Sequence, residues 1–327
     1  MRLAAVGAVG AVAVIGVALR RHRMPLPDEI DLRNVPEWHP RADEVADGGC
    51  EPVEPAGAGA DGGASVRFAA IGDYGYAGPV EEAVADLVKS SRPEFIVTLG
   101  DNNYPVGGAD TIDLNIGLFY HPYIAPYGGR FGCGAITNHF FPALGNHDWM
   151  APGARPYLAY FELPGNERYY DFVRGPVHLF ALDSDPSEPD GITADSAQAR
   201  WLRQALALSK ARWKIVYMHH APYSSGPHGG TVAMRWPYRS WGVDLVLAGH
   251  DHDYERIDVD GLSYLVNGLG GAVFYPLGKP VAGSVARFNS SAGALFVEAD
   301  ETSLRARFES VGGRQIDAVS LSKAAAP

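Results

Sequence analysis

The 327-residue sequence has few cysteines, and it has no basic cluster outside its extreme N-terminus. Cys50 and Cys133 are its only cysteines, so there is no disulfide framework, and a single bridge between them stays open. The formal net charge is −11, which argues against a clamp for a nucleic-acid backbone. No internal repeat is found along the chain.

The composition is that of a soluble globular protein, with 46% apolar and 20% charged residues. A chain of this length can bury a large core, in one large domain or in two smaller ones. An uncharged run at residues 3–19 is followed by basic residues at 20–23, which predicts a signal peptide or a membrane anchor over residues 1–24. We therefore expect a secreted or exported protein, with an anchor at residues 3–19 as the alternative to cleavage.

Residues 25–64 are predicted to be a flexible linker, because residues 40–64 are rich in Gly, Ala, Pro, Asp and Glu without an apolar period. The folded domain is predicted over residues 65–327. Its short apolar runs suit strands buried on both faces, and they occupy residues 66–71, 95–99, 140–144, 177–182, 214–218 and 243–248. Helical patterns at 79–91 and 193–209 alternate with these runs, and the part after residue 262 is β-rich. This order predicts an α/β fold with its ligand site beyond the carboxyl ends of the strands.

Side chains able to bind a metal follow these predicted strands. They are two carboxylates, a phenol, an amide and three imidazoles, namely Asp73, Asp101, Tyr104, Asn146, His219, His250 and His252. Oxygen and nitrogen donors of this kind suit Fe, Mn and Zn. The set is too large for one ion with open positions, but it suits two ions that share one carboxylate. Each segment alone also fits a turn or a helix cap, and the two histidines of GHDH are the strongest indication of ligands.

Five segments resemble the purple acid phosphatases of the metallophosphoesterase (calcineurin-like) superfamily, and they occur in the order found in that family. They are GDYG (72–75), GDNNY (100–104), GNHD (145–148), MHH (218–220) and GHDH (249–252). The resemblance covers roughly residues 65–310 and is greatest to the small single-domain type represented by tartrate-resistant acid phosphatase. It implies a metallophosphoesterase catalytic domain over residues 65–327. The fold it implies is α/β, a four-layer αββα sandwich of two mixed β-sheets flanked by helices.

The resemblance also implies two metal ions and their ligands. Asp73, Asp101, Tyr104 and His252 would hold one ion, and Asp101, Asn146, His219 and His250 would hold the other. The first segment lacks the histidine that many superfamily members carry two residues after the aspartate, and Tyr104 would replace that histidine. Because a phenolate favours Fe(III), we expect a ferric ion at Tyr104 and Fe(II), Zn or Mn at the second position.

The implied reaction is hydrolysis of phosphate monoesters by direct attack of a metal-bound hydroxide, with two ions clamping the phosphoryl group. Three residues are candidates for proton transfer and its support. His147 lies beside Asn146, and Asp148 is expected to orient or charge its ring. His228, in the loop SSGPHGG (224–230), is the better candidate for the general acid. His220 is expected either to contact substrate or to pack.

Other functions stay open on the sequence. A metallophosphodiesterase acting on nucleotides, cyclic nucleotides or phospholipid headgroups would use the same metals. A third reading is an exported protein that uses the site for iron binding or redox chemistry. We expect a small phosphorylated substrate and a monomer, with an N-terminal membrane tether as a further alternative.

Overall fold

The computed structural model describes residues 51–52, 54–55 and 64–324. The predicted signal peptide or anchor over residues 1–24, most of the predicted linker and Cys50 lie outside the described residues. Within the described ranges, no helix has the length and apolar character needed to cross a bilayer.

The described chain alternates strands and helices over its first half and is mostly β-structure over its last third. The strands are β1 (Ser65–Ile71), β2 (Phe95–Thr98), β3 (Phe140–Pro142), β4 (Tyr170–Arg174), β5 (Val177–Ala181), β6 (Trp213–His220), β7 (Leu245–Gly249), β8 (Tyr254–Val259), β9 (Leu262–Asn267), β10 (Ser284–Phe288), β11 (Gly293–Asp300), β12 (Ser303–Ser310) and β13 (Arg314–Ser322). The helices are α1 (Pro79–Ser91), α2 (Leu118–Tyr120), α3 (Asn146–Met150), α4 (Arg155–Tyr160) and α5 (Ala197–Leu208). Short π or 3-10 turns cover Asp113–Gly117, His121–Tyr123, Pro152–Ala154 and Val232–Met234.

The strands form two mixed sheets. One has the order β13-β12-β11-β1-β2-β3, in which β1, β2 and β3 are parallel to one another. The other has the order β10-β8-β9-β7-β6-β5-β4, in which β5, β6, β7 and β9 are parallel. Parallel strands end at the same edge of a sheet, so each sheet gathers the residues that follow its parallel strands.

Alternate residues of β6 show how the sheets and helices are layered. Ile215 and Tyr217 belong to a large core that includes residues of both sheets and of α1. Val216 and Met218, on the opposite face of β6, belong to a second core with Leu202 of α5. The strand is therefore buried on both faces, as its continuous apolar run predicts. The predicted α/β sandwich of two mixed sheets flanked by helices is confirmed.

Two segments differ in detail from the sequence-based prediction. Helix α5 begins at Ala197 rather than at Thr193, because Ser196 caps it and its Oγ accepts a hydrogen bond from the Ala199 amide at 3.0 Å. Within the predicted linker, Glu54 contacts the folded domain: its carboxylate lies 2.5 Å from His139 Nε2 and accepts a hydrogen bond from Thr137 at 3.1 Å. Cys133 is disulfide-bonded.

Candidate metal centre

All seven predicted ligands lie at the carboxyl ends of the parallel strands. Asp73 follows β1 and Asp101 follows β2, while Asn146 is the first residue of α3, after β3. His219 lies near the end of β6, and His250 and His252 follow β7. Donor atoms of Asp73, Asp101 and His219 all lie within 4.8 Å of one another, as do those of His219, His220 and His250. Side chains from both sheets therefore meet in one cluster.

The first half of this cluster surrounds the phenol of Tyr104, and we call it the tyrosine group: Asp73, Asp101, Tyr104 and His252. The Tyr104 hydroxyl lies 2.9 Å from Asp101 Oδ2, 3.3 Å from Asp73 Oδ1 and 3.2 Å from His252 Nε2. His252 Nε2 is also 3.2 Å from Asp73 Oδ1. Four donor atoms from three chain segments therefore converge on one small volume.

The second half surrounds the ring of His219, and we call it the histidine group: Asp101, Asn146, His219 and His250. His219 Nε2 lies 2.9 Å from Asn146 Oδ1, 3.1 Å from His250 Nδ1 and 3.4 Å from Asp101 Oδ1. Asp101 belongs to both groups through its two different oxygens. The backbone amide of His147 also donates a hydrogen bond to Asp101 Oδ1, at 2.9 Å.

The backbone at the strand ends is folded tightly to bring these side chains together. Asp73, Asp101 and His250 have φ angles of 55°, 51° and 75°, in the left-handed region that non-glycine residues seldom adopt. Gly100, with φ 87°, precedes Asp101, and a Cβ at Gly100 would lie 2.5 Å from the ring of His219. Left-handed non-glycine residues are costly and concentrate at functional sites. Three of them at predicted ligand positions fit that pattern.

Burial keeps the imidazoles of the histidine group neutral. It lowers the pKa of His219 to about 3 and that of His250 well below its ordinary value. In the tyrosine group, burial together with the Asp101 and Asp73 carboxylates raises the pKa of Tyr104 well above its ordinary value. Without a cation the phenol therefore keeps its proton, and a cation that displaced the proton would relieve the repulsion between these oxygens.

The sequence predicts that Asp148 orients or charges the ring of His147. In the structure the Asp148 carboxylate contacts other groups instead. Its Oδ2 accepts hydrogen bonds from the Gly145 amide at 2.9 Å and from the Asn102 side chain at 2.8 Å, so it holds the backbone at the start of α3. The His147 ring is held instead by the Pro105 carbonyl, 2.5 Å from Nδ1. Burial, with the nearby charge of Asp101, raises the pKa of Asp148 to about 7. Asp148 thus supports the segment that carries Asn146.

The loop that carries His228 reaches the centre. The His228 ring stacks on His250 with centroids 4.2 Å apart, and its backbone amide donates to Asp251 Oδ1 at 3.0 Å. His147 lies on the other side, with its ring 4.3 Å from that of Tyr104. His220 contacts the centre too, with its ring 4.3 Å from His250 and its Nδ1 3.0 Å from Ser184 Oγ.

The sequence did not single out two residues that hold the site. The Tyr275 ring stacks on His252 with centroids 4.0 Å apart, and it comes from a loop with no periodic pattern. The side chain of Asn102 forms hydrogen bonds with Thr98 of β2 and with Asp148. Its position inside the GDNNY segment is the sequence feature that could have indicated this role. The described histidines outside the motifs have structural partners: His121 contacts the Cys133 carbonyl, His139 contacts Glu54, and His178 contacts Asp171.

Known proteins resemble this chain in sequence and in fold. The family model described as calcineurin-like phosphoesterase matches residues 66–254. Purple acid phosphatase 17 of Arabidopsis thaliana is 31% identical over 252 residues, which cover 67% of this chain and 71% of that protein. Mouse tartrate-resistant acid phosphatase type 5 is 26% identical over 245 residues, covering 63% of this chain and 72% of that protein.

A purple acid phosphatase from yellow lupin seeds has the same fold, with a TM-score of 0.66 at 17% identity. That alignment covers 79% of this chain and 54% of the lupin chain, so this chain spans about half of the lupin protein.

The chain therefore belongs to the calcineurin-like phosphoesterases. Within that family it belongs with the purple acid phosphatases. The predicted family and the predicted enzyme class, a hydrolase acting on phosphoric esters, are both confirmed. Purple acid phosphatase relatives imply a dinuclear metal centre, and the convergent donor atoms provide residues for one.

Proposed function

We propose that this chain is a dinuclear-metal acid phosphatase that hydrolyses phosphate monoesters without a covalent phosphoenzyme. The observation that carries the proposal is the position of Asp101 between the two groups. Its Oδ2 lies 2.9 Å from the Tyr104 hydroxyl, and its Oδ1 lies 3.4 Å from His219 Nε2. A carboxylate so placed can bridge two ions, as two-metal phosphatases require.

The directions of the imidazole lone pairs support cations at both positions. His219 Nδ1 lies 2.8 Å from the Leu99 carbonyl and His252 Nδ1 lies 2.6 Å from the Val273 carbonyl. A carbonyl only accepts hydrogen bonds, so each ring, when neutral, carries its proton on Nδ1 and presents a lone pair at Nε2. At His219 that lone pair faces the oxygens of Asn146 and Asp101. These lone pairs repel one another unless a cation lies between them.

The tyrosine group would hold Fe(III), and the histidine group would hold Fe(II), Zn or Mn. The first assignment follows from the hard, anionic phenolate oxygen that Tyr104 would offer. The second group offers one carboxylate oxygen, one amide oxygen and two neutral imidazoles, a set that suits each of the three divalent ions. When bound, the two ions would activate a water molecule as nucleophile and offset charge on the phosphoryl group.

The residues of the chain would handle orientation and protons. His228, which stacks on His250, would donate a proton to the departing alcohol. His147 donates from Nδ1 to the Pro105 carbonyl, which leaves Nε2 on the side of Asp101, 3.8 Å from Oδ2. When protonated on both nitrogens, the ring would donate from Nε2 to a phosphoryl oxygen beside the tyrosine group.

Replacing Asp101 with Asn tests the proposal, because it removes the charge that both groups share. Asp195→Asn, at an exposed carboxylate, is the matched control. We expect Asp101→Asn to lose bound metal, measured per chain by elemental analysis, together with turnover of p-nitrophenyl phosphate, while Asp195→Asn keeps both. Intact metal content and turnover in Asp101→Asn would refute a shared bridging carboxylate. A parent protein that binds two metals but hydrolyses no ester would favour the iron-binding function instead.

The phosphodiesterase alternative is distinguished by comparing p-nitrophenyl phosphate with bis(p-nitrophenyl) phosphate across pH. Preference for the monoester supports the proposal, and preference for the diester refutes it. We also propose a small phosphorylated substrate, a monomer and export from the cytoplasm. The disulfide at Cys133 supports export, because such bonds persist in oxidising compartments.

A further inference from the structure

Residues 273–275 line the tyrosine group and fix an exposed aromatic ring beside it. The Val273 carbonyl accepts the hydrogen bond from His252 Nδ1 at 2.6 Å. The Tyr275 ring lies parallel to His252, 4.0 Å away, and 5.4 Å from His228. Phe274 lies between these two anchored residues, yet 40% of its surface is exposed, and Val273 is 47% exposed. The contacts of Val273 and Tyr275 with His252 therefore fix the backbone on both sides of Phe274.

Val106 is held beside the same group from another loop. The carbonyl of its neighbour Pro105 accepts the hydrogen bond from His147 Nδ1. On its other side, a Cβ at Gly107 would lie 2.7 Å from the His147 carbonyl, so the backbone there is packed against the start of α3. Val106 itself is 53% exposed. Val106 is therefore an exposed apolar residue whose chain neighbour, Pro105, is hydrogen-bonded to His147 of the candidate site.

The side of the centre near the histidine group has a different character. His220 and Ser184 contact each other there, and the His228 ring stacks on His250. Because the Tyr275 ring is next to both His228 and His252, a leaving group that takes its proton from His228 would lie next to Tyr275, the chain neighbour of Phe274. Exposed apolar side chains that border a polar cleft are typical of a binding surface.

We propose that Val106, Val273 and Phe274 form an apolar rim that selects phosphate monoesters with an apolar alcohol or phenol. The inference rests on the proposed function and adds a substrate class to it. The apolar part of the ester would cover the rim, and the phosphoryl group would lie between the tyrosine and histidine groups. Esters of sugars and other polyols would gain nothing from these contacts, because their hydroxyl groups would lose water against an apolar surface.

A series of straight-chain alkyl phosphates, from ethyl to hexyl, tests the rim. The alcohols of this series have nearly the same pKa, so differences in kcat/KM report contacts rather than leaving-group chemistry. Full burial of a methylene group corresponds to about a fourfold gain, and a half-covered one to about twofold. We expect kcat/KM to rise about twofold per methylene group in the parent protein.

The variants Phe274→Ala and Phe274→Leu locate the effect. Phe274→Ala is expected to flatten the rise, and Phe274→Leu to restore part of it. Leu208→Ala is the control, because Leu208 is also an exposed apolar side chain, 69% exposed, but lies at the end of α5. It is expected to leave the rise unchanged.

Binding of alkylphosphonates by calorimetry provides a readout that needs no turnover. Affinity that increases with chain length in the parent and not in Phe274→Ala supports the rim. Turnover with no dependence on chain length overturns the rim and leaves the proposed function intact. Absence of turnover for every ester refutes the proposed function, and the phosphonate affinities then decide whether the apolar rim exists.

Discussion

Adding one methyl group at Gly100 should disturb the candidate metal centre from the inside. Gly100 has φ 87°, and a Cβ there would meet the Cβ and Nδ1 atoms of His219, each 2.5 Å away. The ring cannot simply retreat, because Nδ1 is bound to the Leu99 carbonyl at 2.8 Å. Gly100→Ala must therefore either break that hydrogen bond or displace the strand end that carries Asp101.

The expected cost has two parts. The left-handed conformation of a residue with a side chain costs about 1–2 kcal/mol. Overpacking against the His219 ring adds about 1–3 kcal/mol. Gly242→Ala is a matched control for the first part alone, because Gly242 has φ 91° and nothing lies within 4 Å of its added Cβ. The difference between the two variants therefore measures the contact with His219.

Thermal unfolding with and without added metal is the assay. Each kcal/mol should lower the midpoint by about 2–4 °C in a domain of this size. We expect Gly100→Ala to unfold at a lower temperature than Gly242→Ala and to gain less from added metal, since ligand binding stabilises only a state that binds it. Equal midpoints and equal metal stabilisation in the two variants would refute the packing of Gly100 against a ligand.

Two further predictions concern buried residues away from the ligands. Burial, opposed in part by the Tyr76 amide, raises the pKa of Glu81 well above its ordinary value of 4.5, so the folded chain keeps a proton that the unfolded chain releases. Glu81 should therefore contribute a fall in stability of up to about 1.4 kcal/mol per pH unit as pH rises from 4.5 through its folded pKa, and Glu81→Gln should remove this contribution in denaturant titrations. Leu202→Ala, in the core under α5, should cost about 2–5 kcal/mol by the same titrations while metal content stays unchanged, and a loss of metal would contradict the separation of that core from the site.

Much of the fold could be read from apolar runs. The strand β6 is visible in the sequence because both of its faces are buried, so its central residues Ile215–Met218 are all apolar. The edge strands β13 and β4 do not have this pattern. In β13 no residue is fully buried, and in β4 only Tyr170 and Phe172 are, so neither produced a continuous run. These segments become strands because they pair with neighbouring strands, and their composition does not indicate that pairing.

The positions of the seven candidate ligands could be predicted because they lie at or beyond the ends of apolar strands, in most cases after a glycine, whereas their supporting contacts could not. The GNHD segment fitted a helix cap or a ligand. Asp148 accepts the Gly145 amide at the start of α3, and Asn146 Oδ1 lies 2.9 Å from His219 Nε2. Tyr275 gave no indication, because it follows His252 only after the strands β8 and β9 and a loop that returns to the site. Side-chain direction within a turn depends on hydrogen bonds that form only after the sheets pack.

The most direct test of a metal centre with a tyrosine ligand is the visible spectrum of the iron-loaded, air-oxidised protein. A phenolate bound to Fe(III) absorbs in the green by charge transfer, so we predict a purple protein whose broad band disappears in Tyr104→Phe. The position of the phenol, within 3.3 Å of Asp101, Asp73 and His252, is the basis for that prediction. A colourless protein that binds two metal ions per chain would contradict it and would show that Tyr104 is not a ligand.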